Sequence, residues 1–203
     1  MEFFLFSKIS FEIFDPIALI ECYCYQNDFY SKYDLPEDKI IEDVNKIGAR
    51  IKTEVILECK IIIENANSLR IFKYHPGQFL DLEEEKRNAH IKGLNEFVIQ
   101  KLLKINGVGL STTTKTLHTL YPKIFPMIDS LLQKKYREKI NNAWTEKRAD
   151  EIFIDFYKNL KMGSNRKNLN YIFDKLLENN IQHLRVRIAG SIIKKTFCNY
   201  RII

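Results

Sequence analysis

The chain has 203 residues, of which 45% are hydrophobic and 29% are charged, so one domain or two small packed domains with a sizeable core are expected. Glycine (7) and proline (5) are scarce, which argues against a sandwich or barrel and favours long helices with short connections. Residues 1–100 hold 12 Lys/Arg against 18 Asp/Glu, whereas residues 101–203 hold 20 against 8. Such a basic half is typical of a protein that binds a polyanion, most often nucleic acid. Solvated lysine-rich faces give the same excess of Lys and Arg over Asp and Glu.

The apolar segments and cysteines argue against a membrane-spanning or secreted protein. No apolar run reaches the roughly 18–20 residues that a membrane span needs. The apolar start at residues 1–6 lacks the basic lead-in and cleavage site of a signal peptide. Cys22, Cys24, Cys59 and Cys198 match no zinc or iron–sulfur spacing. We therefore expect free buried thiols, no metal held by side chains and a cytoplasmic location.

The first 80 residues predict mostly helical segments. Residues 1–15 mix aromatic and β-branched side chains and fit either a short strand or an irregular arm. Helices are predicted from Pro16 to about Tyr25, from Leu35 to about Gly48, and over 53–66.

A turn is predicted at His75-Pro76-Gly77, because proline fixes φ and glycine permits a tight reversal. The acidic part of the sequence gives way to the basic part at about residues 75–82. We therefore expect an N-terminal segment, 1–80, packed on a helical domain, 81–203.

The second half predicts a series of helices. Residues 88–104 carry Leu94, Phe97, Val98 and Leu102 on one apolar stripe that is expected to be buried. Further helices are predicted over 110–121, 130–142, 148–161, 167–180 and 183–197. The fold class predicted for the chain is mainly all-α, a multi-helix array that contains a helix-hairpin-helix.

The hairpin is predicted at Gly107-Val108-Gly109, where one helix stops and a second amphipathic helix begins at once. The two glycines allow a sharp turn and let a ligand approach the backbone without a Cβ in the way. Val108 is expected to point into the core. A pair of glycines between helices is also a common tight turn with no other role.

The second helix of this hairpin is expected to bind phosphate. Its first amides have no intrahelical partner, and together with the helix dipole they favour an anion. Ser111, Thr112 and Lys115 follow in the first two turns and are expected to add hydroxyl and cationic contacts to a nucleic-acid backbone. Lys115 and His118 lie one turn apart, and a solvated face is the alternative for both.

Residues 102–136 resemble the helix-hairpin-helix DNA glycosylase superfamily, in which a Gly-hydrophobic-Gly hairpin precedes a catalytic Asp. Here Asp129 follows Gly109 by twenty residues, after the apolar stretch from Phe125 to Ile128. The resemblance covers about 35 of the 203 residues. It departs from the family at Ser130-Leu131-Leu132, where Thr-His-hydrophobic is usual.

The resemblance implies double-stranded DNA as the partner and base excision as the activity. It assigns backbone binding to Gly107, Val108 and Gly109, whose neighbouring carbonyls would also hold a monovalent cation, and catalysis to Asp129. Ser111 stands where bifunctional members carry a Schiff-base lysine, so the chain resembles the monofunctional members, in which water attacks.

Three functions remain open from the sequence. The first is a monofunctional DNA N-glycosylase, a hydrolase of DNA repair. The second is a non-catalytic helix-hairpin-helix module that binds DNA, in which Asp129 only caps the next helix. The third is a structural or protein-interaction role in which the hairpin is only a turn.

Overall fold

The computed structural model describes the backbone of residues 2–5 and 9–12, and residues 41–42, 44–45, 48–74, 76–121, 125–161, 167–168 and 171. This part of the chain is mainly helical, as predicted. The helices predicted over 16–25 and 183–197, and most of those predicted over 35–48 and 167–180, lie outside the described residues.

The first residues form a short antiparallel hairpin. Strand β1 (Glu2–Leu5) pairs with β2 (Ile9–Glu12). The sequence left open a short strand or an irregular arm for residues 1–15. The described residues of this segment form strands. An isolated two-stranded hairpin is marginal in water, and here β1 lies beside the helix Ala149–Lys161.

Helix α1 (Thr53–Asn65) matches the helix predicted over 53–66. Ile56, Cys59 and Ile63 recur at helical spacing and form its buried face. Cys59 is a free, buried thiol as expected, and its burial raises its pKa to about 11, so it stays protonated at neutral pH. The other three cysteines lie outside the described residues.

The turn predicted at 75–77 is contradicted, because helix α2 (Pro76–Asp81) begins inside it. Proline suits the first turn of a helix, since its missing N–H would have no intrahelical partner there. Phe79 of α2 is buried in the same core as Ile63 and Tyr157. The described parts of residues 1–80 and 81–203 therefore share an apolar core.

The helix predicted over 88–104 begins four residues earlier, at Glu84, and contains a π-helical turn. Helix α3 (Glu84–Leu94) continues into a π-helical turn (Asn95–Ile99) and a last turn of α-helix, α4 (Gln100–Leu102). A π turn closes i→i+5 hydrogen bonds and so accommodates one extra residue.

The prediction that the whole apolar stripe is buried is wrong at one residue, which lies in this π turn. Leu94, Val98 and Leu102 are buried as expected, but Phe97 is 47% exposed. The extra residue in the turn moves Phe97 away from the position that a regular α-helix would give it.

Three longer helices complete the described fold: α5 (Leu110–Leu120), α6 (Ser130–Lys139) and α7 (Ala149–Lys161). Their starts agree with the predicted helices to within one residue. Helix α6 ends three residues early, because Asn141 and Asn142 adopt positive φ, a conformation that asparagine tolerates.

Helix α5 lies in the centre of the described fold. Every residue from Thr112 to Thr119 is buried, and α1 packs beside it. The N-terminus of this central helix is the place where the sequence predicts phosphate binding.

Candidate nucleic-acid interface

The segment that joins α4 to α5, residues 103–109, contains a tight turn. The amide of Val108 donates to the carbonyl of Ile105 at 3.1 Å. Gly107, the third residue of this turn, has a φ of +83°, as a type II turn requires, and glycine favours that conformation. Val108 is buried in the main core, as its expected inward orientation requires.

Gly109 is the N-cap of α5, with an extended backbone (φ −98°, ψ 178°) that any residue adopts. A Cβ built at this position meets a single described atom within 4 Å, Glu146 Oε1 at 3.7 Å. The described fold therefore does not require glycine at position 109. The missing Cβ removes one obstruction to a ligand that approaches the first turn of α5.

The first turn of α5 contains amides that could hold an anion. In the part of the chain that the structure describes, the amides of Ser111 and Thr112 have no hydrogen-bond acceptor. Ser111 is half-buried and Thr112 is buried. These two predicted contact residues can therefore contribute backbone N–H groups at the helix N-terminus, where the dipole also favours negative charge.

Lys115 lies elsewhere than the sequence predicted. Its side chain is only 9% exposed, and Nζ donates to the carbonyl of Gly48 at 2.7 Å. His118 is also buried, with Nδ1 2.6 Å from the carbonyl of Phe125. Neither side chain is solvated or in the position predicted for a phosphate contact, because each lies against a backbone carbonyl of another segment.

Lys115→Ala is expected to lower the free energy of unfolding by about 1–3 kcal/mol, because it removes a charged hydrogen bond and leaves the Gly48 carbonyl without this donor. Urea unfolding measures the effect.

Lys104→Ala is the matched control. Lys104 is exposed in the segment before Gly107, so its removal should change the free energy of unfolding by no more than about 0.5 kcal/mol. Similar losses of stability in both variants would show that the hydrogen bond between Lys115 and Gly48 contributes little.

The side chain of Glu146 bonds one backbone N–H group of the candidate anion site. The sequence did not indicate this contact. Its Oε1 accepts a hydrogen bond from the amide of Leu110 at 3.3 Å. The sequence of α5 contains no acidic residue in its first turn. A carboxylate from 36 residues further along the chain therefore lies where an anion would be stabilised.

The π turn holds the segment that carries Glu146. Asn95 and Gln100 are five residues apart, the spacing that a π turn aligns, and Gln100 Nε2 donates to Asn95 Oδ1 at 2.8 Å. Gln100 Nε2 also lies 3.1 Å from the Glu146 carbonyl. The side chains of Asn95 and Gln100 each reach the Lys147 carbonyl at 3.3 Å.

Asp129 is half-buried and caps α6, since its Oδ1 accepts from the amide of Leu132 at 3.0 Å. The preceding residue is fixed to α5, because the amide of Ile128 donates to Thr114 Oγ1 at 3.0 Å. The same hydroxyl oxygen lies 3.2 Å from the carbonyl of Ser111. Thr114 thus connects the first turn of α5 to the residue before Asp129.

Several residues close in sequence to this region have exposed side chains. Lys101 and Lys104 lie just before the turn, and Lys147 follows Glu146. The exposed Phe97 lies one turn before Lys101. The sequence placed Phe97 in the core and gave no sign that Lys147 would lie near α4, because long-range contacts determine both positions.

Among the described residues, no group of three or more His, Cys, Asp or Glu side chains is arranged to hold a metal ion. The described helices include none with the length and apolar character needed to cross a bilayer. No family model, curated protein or solved structure matches the chain.

Proposed function

We propose that this protein binds duplex DNA through the N-terminus of α5 and acts as a monofunctional base-excision N-glycosylase, with Asp129 as the catalytic carboxylate. The observation that carries the proposal is the position of Thr114, whose hydroxyl joins the Ser111 carbonyl to Ile128. This bond attaches the residue before Asp129 to the same helix whose first amides would hold a phosphate.

The backbone of one DNA strand would lie along the start of α5. The amides of Ser111 and Thr112 would donate to phosphate oxygens, and Gly109 would allow the close approach. Lys101, Lys104 and Lys147 would supply positive charge around this point. Contacts of this kind fix position and do not read the sequence of the bases.

The chemistry would follow once a nucleotide is extruded from the duplex. The bond between C1′ and the base nitrogen breaks, its electron pair leaves with the base, and the sugar becomes a cation. The Asp129 carboxylate stabilises that cation, water adds at C1′ and gives up a proton, and the departed base nitrogen gains one. The products are a free base and an abasic site, with no amine required at Ser111.

A second candidate function is DNA binding without catalysis. It is favoured by the hydrogen bond from the Leu132 amide to Asp129 Oδ1, because capping α6 is by itself a sufficient reason for an aspartate at this position. The two candidates share the α5 interface and differ only in whether base is released.

Gly109→Ala tests the shared interface. The extended backbone at this position accepts alanine, so the variant should fold, but its methyl group would stand between phosphate and the helix amides. We expect DNA affinity to fall by roughly tenfold, which corresponds to about 1.4 kcal/mol. Fluorescence anisotropy on intact and abasic duplexes, over a salt series, measures the change.

Gly93→Ala is the matched control, because a Cβ there meets nothing within 4 Å among the described residues. This substitution in α3 should leave DNA affinity unchanged and stabilise the helix by roughly 0.5–1 kcal/mol. Equal affinity of wild type and a folded Gly109→Ala variant would exclude the start of α5 as the contact.

A further inference from the structure

We infer that Glu146 is an internal competitor for the phosphate site, which its carboxylate must leave when DNA binds. This inference rests on the proposed function and concerns the regulation of the same interface. It follows from the hydrogen bond between the Leu110 amide and Glu146 Oε1, since a phosphate and a carboxylate repel each other at adjacent amides.

Hydrogen bonds hold the backbone around Glu146 in place beside the site. Its backbone carbonyl accepts from Gln100 Nε2 at 3.1 Å, and the next carbonyl, of Lys147, accepts from both Asn95 and Gln100. The backbone of this segment is thereby held against the π turn. The half-buried side chain of Glu146 can rotate away from Leu110 while that attachment remains.

Glu146 and Lys147 give this short segment two opposite effects on an incoming anion. The Glu146 carboxylate repels it at the helix amides, whereas the exposed Lys147 attracts it. A single small anion gains too little from one lysine to displace the carboxylate. A DNA backbone, with a row of phosphates that also reaches Lys101 and Lys104, gains several contacts at once. Displacing Glu146 costs either ligand the same free energy, so only a ligand with several further contacts is expected to bind appreciably.

Glu146→Ala and Glu146→Gln test this inference in the full-length chain. Alanine removes both charge and acceptor, whereas glutamine removes the charge and keeps an oxygen that can accept from Leu110. We expect Glu146→Ala to bind an intact duplex roughly tenfold more tightly, which corresponds to about 1.4 kcal/mol, with a smaller gain for Glu146→Gln. Inorganic phosphate, titrated in the absence of DNA, should also bind both variants more tightly than wild type.

Glu85→Gln is the matched control, because it makes the same change in net charge at an exposed position in the first turn of α3. Its affinity should equal that of wild type. The midpoint of urea unfolding should fall in Glu146→Ala, since the Leu110 amide loses its acceptor. Tighter binding together with lower stability is the signature of a competitor, whereas a purely structural cap would lower stability without improving affinity.

The outcomes separate this inference from the proposed function. If wild type binds DNA and Gly109→Ala weakens the binding, but folded Glu146→Ala binds no more tightly than wild type, the competitor role is wrong and the interface stands. An equal gain in Glu85→Gln and Glu146→Gln would also overturn it. If neither wild type nor Glu146→Ala binds any duplex, the proposed function fails and the inference fails with it.

Discussion

Asp129→Asn is expected to reduce base release by roughly 10²–10³-fold while DNA affinity stays near that of wild type. The carboxylate charge is what would stabilise the sugar cation, and loss of one such electrostatic contact has effects of this size. Asparagine is as good an N-cap as aspartate, so the bond to the Leu132 amide and the start of α6 should be preserved. The substitution therefore separates the proposed chemistry from the fold.

Base release can be measured on duplexes that each carry one damaged or mismatched base, by alkaline cleavage at the abasic sites formed. Asp129→Ala serves as the structural control and should cost about 1 kcal/mol of stability through loss of the cap. Release that persists in Asp129→Asn would contradict the catalytic role. Binding without release by wild type, across the whole set, would favour the non-catalytic module.

Trp144→Ala is expected to lower the free energy of unfolding by roughly 3–5 kcal/mol. The indole is 2% exposed and packs edge-on against Tyr136, with ring centroids 5.7 Å apart. Its Nε1 also donates to the carbonyl of Arg148 at 2.6 Å. The variant loses this hydrogen bond and leaves a cavity between α6 and the residues before α7.

Trp144 is the chain's one tryptophan, so the Trp144→Ala variant has no tryptophan fluorescence with which to follow unfolding. Far-UV circular dichroism during urea unfolding is therefore the suitable measurement. Phe97→Ala is the comparison, since it removes another aromatic ring at a position that is 47% exposed. Its effect should stay within about 0.5 kcal/mol. Similar losses in both variants would show that Trp144 contributes less to the core than its burial indicates.

The sequence was sufficient to predict those parts of the fold that local signals determine. Gly107 marks the break before α5, and Asp129 marks the start of α6, because a positive φ and a side-chain N-cap each restrict the choice of residue. The mainly helical class followed from the periodicity of apolar residues. The order and approximate bounds of α5, α6 and α7 could therefore be predicted.

The details of the candidate site could not be predicted, because they depend on residues far apart in the chain. The contact between Glu146 and the Leu110 amide spans 36 residues, and that between Lys115 and Gly48 spans 67. A lysine on a helix is ordinarily solvated, so its burial at position 115 has no local signature. The displacement of Phe97 likewise depends on a π turn whose polar partners lie some fifty residues away.

The position of Trp144 also gives the protein a built-in fluorophore. The indole bonds to the carbonyl of Arg148, two residues beyond Glu146, so a rearrangement of this segment changes the surroundings of the ring. Because the Glu146 side chain is inferred to rotate while its backbone stays attached to the π turn, steady-state emission should stay constant when it leaves Leu110. A shift of the emission on mixing with DNA would instead show that the whole segment moves.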